Sequence, residues 1–298
     1  MRKRLPIRRA KAANYSRFAG VVSIPVIGIA AALHRGGHLD TVALFSVLGF
    51  GFALALSAVV AAIAAIAAIW NRGAPGVGDA VFGLICGLIA LTPAAAVTTA
   101  TILYPRLTDI STDLDSPPRL ALSQNRAQPD GHLRPAAQRT AYPDIVPRRF
   151  PVGTSQLYAA VEQVIEDKGW TIEAHLAPAM NDDPAVIRVE ARTLLLGFVD
   201  DVTVRILPDA IGSRLDIRSA SRLGEHDLGT NARRIRSLLA GVDRVLTEAY
   251  GITEVQESDT APAESVPLEY EKLDDGPDEP DVPVPGDKPG QLEPAVSG

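Results

Sequence analysis

The stretch GFVDDVTVRILPDAIGSRLDIRSASRLGEHDLGTNARRIR (residues 197–236) places acids and arginines within two β-strand patterns and the start of a helix. Apolar and polar residues alternate along both strands, so each strand presents one apolar and one polar face. The polar face carries Asp201, Arg205, Asp216 and Arg218. If the two strands pair, opposite charges meet across them and form a ladder on the face away from the helices. The ladder predicts either structural bracing or a ligand site.

A second polar group lies at the start of the helix that closes this stretch. Asn231 falls near the centre of the apolar stripe of that helix, so its amide is directed at the core and requires hydrogen-bond partners. Asp227 is the predicted N-cap. Arg234 and its neighbours Arg233 and Arg236 indicate either an anion site or a solvated basic face. The predicted ligand-binding residues are Asp201, Arg205, Asp216, Arg218, Arg222, Asp227, Asn231 and Arg234.

The sequence assigns no catalytic residue and no cofactor. Ser219 and Ser221 lie near His226, but the GxSxG turn that exposes a nucleophilic serine does not occur in the sequence. His175 and His226 have no second ligand at metal spacing, so no metal site is predicted.

The rest of the folded part is an α+β domain, predicted over residues 151–252. Apolar residues at helical spacing indicate a first helix at 154–168 and a second that ends near Ala249. Short strand-like segments between turn-forming residues indicate four strands in an antiparallel meander, with the helices on one face of the sheet. The predicted strands are residues 170–176, 185–193, 198–207 and 213–221.

Three apolar stretches precede this domain and predict a transmembrane anchor over residues 18–104. Stretches 41–70 and 80–104 are long enough to cross a bilayer, which takes about 20 residues in a helix. Stretch 18–33 is shorter and contains Pro25, so it is a short span, a signal-peptide core or an interfacial helix. No ionisable side chain lies deep in the three stretches, which favours an anchor over a transporter.

The distribution of charge predicts how the anchor is oriented. Residues 1–17 contain seven Lys and Arg and no acid, which holds this end in the cytosol and delivers the chain beyond residue 104 to the other side after three crossings. The single cysteine, Cys86, lies in the third span, so the exported half has no disulfide. Small residues in the spans, including Gly83 and Gly87 at GxxxG spacing, indicate close helix packing or self-association.

Two further segments flank the domain. Residues 105–150 are rich in proline and predict an extended arm that covers the polar face of the sheet. Residues 253–298 predict a disordered acidic tail, because thirteen Asp and Glu stand there against Lys272 and Lys288, a net charge of −11. The net charge of −6 for the whole chain therefore describes the tail and not the folded part.

A family resemblance is carried by the strings TDISTDLDSPP, YPDI, GFVDDVTVRI and DIRSASRLGEHDLGTNARRIR, together with Gly169 and Trp170. Over residues 105 to about 250 the chain resembles the domain-of-unknown-function family 1499. The resemblance implies no established activity. Similar bacterial proteins often carry membrane spans ahead of the domain, which agrees with the orientation predicted from charge. We therefore expect a bacterial inner-membrane protein with its domain on the periplasmic side. The chain departs from the family at Leu120, where an aromatic residue commonly follows the prolines.

Two function classes follow from these observations. The first is a membrane-anchored domain that binds a small anionic or amphipathic ligand, or an envelope protein. The second is a hydrolase-like enzyme in which Asp201 or Asp216 is the general base and Arg218 or Arg222 stabilises an anion. A nucleic-acid partner is not predicted, because the exported compartment and the lack of basic residues interleaved with aromatic ones argue against it.

Overall fold

The computed structural model of the protein describes residues 11–72, 75–120 and 133–251. Most of the predicted basic segment, residues 121–132 of the predicted arm and the predicted acidic tail lie outside these ranges.

The chain begins with three long helices, α1 (Lys11–Arg35), α2 (Thr41–Arg72) and α3 (Val77–Leu103). All three are long and apolar enough to cross a membrane. The first predicted stretch looked short because only its apolar part was counted, whereas α1 has 25 residues and continues through Pro25. Membrane helices tolerate such a proline, because neighbouring helices and local adjustments satisfy the freed backbone groups.

Small residues bring the three helices close together. A side chain added at Gly83 would collide with the backbone of α1 near Ser16, and one added at Gly87 would meet Val59 of α2 at 2.8 Å. Close backbone approach of this kind is the usual role of small residues between membrane helices. Gly83 and Gly87 are therefore used within the chain, and any self-association requires other parts of the helix surfaces. At the end of the bundle where α1 begins, Arg17 of α1 pairs with Asp79 of α3 at 2.8 Å.

After the helices comes an antiparallel sheet, which has six strands in the described part of the chain. The strands are β1 (Asp109–Ser111), β2 (Arg148–Phe150), β3 (Thr171–Leu176), β4 (Ala185–Arg192), β5 (Val199–Asp209) and β6 (Gly212–Ser221). They lie in the order β1-β6-β5-β4-β3, with β2 also paired to β6. Helices α5 (Thr154–Asp167) and α6 (Thr230–Tyr250) lie against the sheet, and the predicted α+β class is confirmed.

One apolar core lies between the sheet and the two helices. Alternate residues of the central strands, such as Val204 and Ile217, are fully buried and meet the apolar stripes of the helices. Leu157 of α5 and Leu238 of α6 are also fully buried in this core. Each such side chain contributes about 1.5–3 kcal/mol relative to an exposed one, so this packing holds the domain together without a disulfide.

The proline-rich arm is less uniform than the sequence predicts. It contains β1, β2 and a short helix α4 (Pro135–Ala141), and its two strands extend the predicted four-stranded sheet to six. A helix is compatible with Pro135 because this residue stands at the first helical position, where the missing N–H removes no intrahelical bond. The arm between β1 and Leu120 crosses the polar face of the sheet, where Thr203 donates to the carbonyl of Arg119 at 3.0 Å.

The domain is docked on the ends of the helices. In the turn between β4 and β5, the carbonyl of Leu196 accepts a hydrogen bond from His34 Nδ1 at 2.6 Å, and the Phe198 ring lies 5.0 Å from the His34 ring. The loop before α6 meets the end of α3, where His226 Nε2 donates to the carbonyl of Tyr104 at 3.1 Å. His34 and Tyr104 therefore lie on the same end of the bundle, as expected for the ends of the first and third of three consecutive helices.

Candidate functional site

The first charged group on the covered face of the sheet joins β5 to β6. Arg205 and Asp216 stand directly opposite each other, as the strand alternation predicts, and Arg205 donates to Asp216 at 2.7 Å. Arg214 donates to the same carboxylate at 2.9 Å, and the Asp216 side chain is fully buried. From the arm, Asp113 accepts a hydrogen bond from Arg205 at 2.9 Å. Because the arm takes part, this group fastens the arm to the sheet.

Arg218 belongs to a second, separate group, and here the predicted ladder is wrong. Its cross-strand neighbour is Thr203, so no ladder acid faces it. Arg218 instead makes two hydrogen bonds, at 3.0 and 2.6 Å, to the carboxylate of Asp109 on β1 and a third to the carbonyl of Pro118. Only 4% of the Arg218 side chain and 1% of the Asp109 side chain is exposed.

The third group on this face contains Asp201 and Arg222. Asp201 stands opposite Ala220, so it finds no charged partner directly across the strand pair. Arg222, just beyond the end of β6, reaches back to Asp201 at 3.0 Å and to Glu190 of β4 at 2.5 Å. The two carboxylates hold the pKa of the Arg222 guanidinium above its usual value, with the hydrogen bond to Asp201 as the largest cause. The predicted ladder is thus three clusters of ion pairs.

The opposite face of the sheet carries a buried polar cluster at the start of α6. Asn231 is fully buried, and its amide is completely satisfied. Its oxygen accepts from Ser219 at 2.8 Å and from Arg234 at 2.7 Å, while its nitrogen donates to the carbonyl of Thr108 and to Ser221. An amide on the apolar stripe thus finds partners on β6, on α6 and in the residue before β1.

Asp200 completes this cluster and was missed in the sequence. It pairs with Arg234 at 2.6 Å, and the two side chains are 5% and 7% exposed. Burial raises the pKa of Asp200 above its usual value, and the charge of Arg234 opposes that rise. A signal was available, since Asp200 is in phase with Val202 and Val204 on β5 and is therefore an acid at a core-facing position.

Asp227 organises the turn that starts α6. The N-cap position belongs to Gly229 and not to Asp227 as predicted, because the left-handed turn places the helix start two residues later. The Asp227 carboxylate still accepts the backbone N–H groups of Gly229 and Asn231, both at 2.9 Å. Burial is the main reason that the pKa of Asp227 is raised. Gly229 has φ 71°, and a side chain there would meet the ring of Tyr104 at 2.6 Å. The turn therefore requires glycine both for its conformation and for its contact with α3.

The predicted site residues therefore lie in networks of ion pairs and hydrogen bonds within the chain, and none of them lines the recess described below. Asp201 and Asp216, the predicted general bases, are each held by at least one arginine, and Asp216 has no exposed surface. A general base must come within hydrogen-bond reach of a substrate proton, so this geometry favours bracing over hydrolysis. Among residues 11–72, 75–120 and 133–251, no three His, Cys, Asp or Glu are placed to hold a metal ion.

A recess of about 150 Å³ lies elsewhere, within the arm, between the residues that follow β1 and the segment that includes and follows the end of α4. The Tyr142 side chain at its wall is mostly buried, and its hydroxyl has no hydrogen-bond partner in the described part of the chain. Burial raises the pKa of this tyrosine, and the nearby charge of Asp227 adds to the rise. No pattern in the sequence predicted this recess. Its wall includes Asp113, Leu114, Asp115, Arg139, Tyr142, Ile145 and Val146.

Comparison with known proteins identifies the domain but not a characterised relative. No curated protein and no solved structure matches the chain. A family model does match, and its limits include β1, the arm and most of α6. The predicted resemblance is thereby confirmed: residues 109–242 match the family described as protein of unknown function (DUF1499).

Proposed function

We propose that the protein is integral to the inner membrane of a bacterium and holds its α+β domain on the periplasmic face, where the domain binds a small amphipathic ligand. The recess beside α4 is the observation that carries the binding proposal. The arginines that an anionic ligand would need are already paired with carboxylates of the chain. The recess, in contrast, is an open volume, and Tyr142 in its lining has a buried hydroxyl without a hydrogen-bond partner among the described residues.

The lining of the recess favours an amphipathic ligand over an anionic one. Leu114, Ile145 and Val146 supply apolar surface, and the mostly buried Tyr142 stands beside them with a hydroxyl that has no partner in the described part of the chain. The single arginine, Arg139, is offset by Asp113 and Asp115 in the same wall. Ligand sites combine apolar walls with a few polar groups that fix orientation, and the volume restricts the ligand, or the part of it that enters, to a few heavy atoms.

The periplasmic side is supported by charge and by connectivity. Seven Lys and Arg precede or begin α1, and cations of this kind remain on the cytosolic side. The domain contacts His34 of α1 and Tyr104 just after α3, both on the end of the bundle opposite the start of α1. Three crossings therefore place it across the membrane from the amino terminus.

Cysteine labelling tests the side of the membrane. In a Cys86→Ala background, Glu225→Cys is expected to react with a membrane-impermeant maleimide in intact spheroplasts, because Glu225 is exposed in the loop before α6. The matched control is Asn71→Cys at the end of α2, which is expected to react only after permeabilisation. The reverse pattern would place the domain in the cytosol.

Filling the recess tests the ligand. Native mass spectrometry of the full-length protein in nanodiscs is expected to show a co-purified small molecule that Val146→Trp removes. Loss of about 1.4 kcal/mol of binding energy lowers affinity tenfold, and an indole ring that fills the recess should cost more than this, so the molecule should be strongly depleted. Ile211→Trp, an exposed position outside the recess lining, is the matched control and should retain the molecule. Equal occupancy in all three proteins, or none in any, would contradict the proposal.

A further inference from the structure

Two leucines stand uncovered at the tip of the turn between β4 and β5. Leu194 and Leu195 are 83% and 78% exposed, more than any other large apolar residue of the domain among those that the structure describes. Adjacent exposed leucines in a short turn present apolar surface to solvent without contributing to the core. A soluble domain rarely shows such a patch without a partner for it.

The position of this turn is fixed by the end of α1. Arg35 donates to the carbonyls of Thr193 and Leu194, and His34 donates to the carbonyl of Leu196. Gly197 has φ 75°, and a side chain there would meet the Arg35 backbone at 3.0 Å, so glycine permits this close approach. The turn is thus bonded to the helix on both sides of the two leucines.

A second contact ties the same turn to α2. The Phe198 ring packs on the apolar cluster formed by Ala30, Leu44 and Leu48, and it stacks at 6.2 Å on the ring of Phe45. These residues belong to the last turns of α1 and the first turns of α2. If the two helices span a bilayer, their ends mark its surface, and the turn lies at that level.

We propose that Leu194 and Leu195 insert into the boundary between headgroups and acyl chains of the leaflet on the domain side. This inference rests on the proposed membrane-integral placement. The occupant is lipid, because the tip is held beside helix ends that expose the large apolar residues Val42 and Phe45 in the first turns of α2. Amphipathic elements bury their apolar side chains at this depth. The turn thereby fixes the orientation of the domain on the membrane.

A solvatochromic label tests the insertion. Leu194→Cys and Leu195→Cys, each in a Cys86→Ala background, are labelled with a nitrobenzoxadiazole maleimide in full-length protein reconstituted into phosphatidylcholine vesicles. Both labels are expected to emit at shorter wavelength than in water and to be quenched by lipids with a nitroxide near the headgroup. Ile211→Cys is the matched control, because it lies in the turn at the other end of β5, about 35 Å away at the usual rise per residue. It should remain water-like.

A label at Ile102, exposed near the end of α3, separates the two proposals. If Ile102→Cys is quenched and both leucine positions are water-like, the insertion is wrong and membrane integration stands. If Ile102→Cys is also water-like, the proposed membrane integration itself fails. Water-like leucine labels in vesicles combined with protection from maleimide in cells would assign the tip to a protein partner and overturn the lipid assignment.

Discussion

Replacing Arg218 by methionine is expected to lower the free energy of unfolding of the domain by about 3–5 kcal/mol, the usual loss when one partner of a buried ion pair is removed. The change leaves Asp109 as an uncompensated charge with 1% of its side chain exposed, and it removes a donor from the carbonyl of Pro118. Small domains are stable by about 5–15 kcal/mol, so much of the total would be lost. The arm should detach from the sheet first.

Denaturant unfolding of the full-length protein in micelles measures this change. Trp170 fluorescence reports on the domain once Trp70 in α2 is replaced by phenylalanine. Arg139→Met is the matched control, because its pair with Asp115 is exposed and such pairs contribute about 0–1 kcal/mol. The double variant Asp109→Leu with Arg218→Met removes both charges and should recover much of the loss. If Arg218→Met is as stable as the control, the Arg218–Asp109 pair does not hold the arm to the sheet.

Replacing Arg234 by methionine should produce a loss of similar size, about 3–5 kcal/mol near neutral pH. Arg234 is the buried partner of Asp200 and also donates to Asn231 and Ser219. Its removal leaves the carboxylate unpaired and two hydrogen-bond acceptors without that donor. We therefore expect the start of α6 to loosen from the ends of β5 and β6.

The loss in the Arg234 variant should depend on pH in a defined direction. Burial raises the folded-state pKa of Asp200 above the usual 3.8, and Arg234 works against that rise. Without Arg234 the pKa rises further, so the folded state retains a proton that the unfolded chain has released. Stability from this group is then present at low pH and lost as pH rises through the folded-state pKa. The deficit relative to wild type should be smaller at about pH 5 than at about pH 8.

Arg236→Met is the control for this second experiment. Its pair with Asp144 is half exposed, so its removal should change stability by about 0–1 kcal/mol at either pH. Asp200→Asn combined with Arg234→Met removes the titrating group and should abolish the pH-dependent part of the deficit. A deficit that stays constant with pH in the single variant would show that the lost energy comes from packing and not from the charge of Asp200.

These two variants separate the roles that the sequence left open. The charged face and the polar start of α6 were each predicted as bracing or as a ligand site. The charged side chains are paired within the chain, and the pairs Arg218–Asp109 and Arg234–Asp200 are buried, which favours bracing for both. The open volume lies beside Tyr142 instead, in a part of the arm that strand alternation does not describe.

The amino-acid sequence alone determined the elements whose local periodicity is strong. The four predicted strands correspond to β3 through β6, the second helix to α6, and the core-facing position of Asn231 to its full burial. The opposed pair of Arg205 and Asp216 also follows, because a short hairpin fixes the register between adjacent strands. The alternation of side chains along a strand and the choice of turn residues depend on only a few neighbouring residues, so both can be predicted from the sequence.

Only the tertiary structure decided which distant groups meet. Arg218 pairs with Asp109, 109 positions away, because β1 folds back onto the edge of β6. The same closure of the chain brings His34 to Leu196 and forms the recess beside Tyr142. Local periodicity does not predict these contacts. They form because apolar faces that are far apart in the chain are buried together, and the polar groups beside those faces then pair with whichever groups lie within reach.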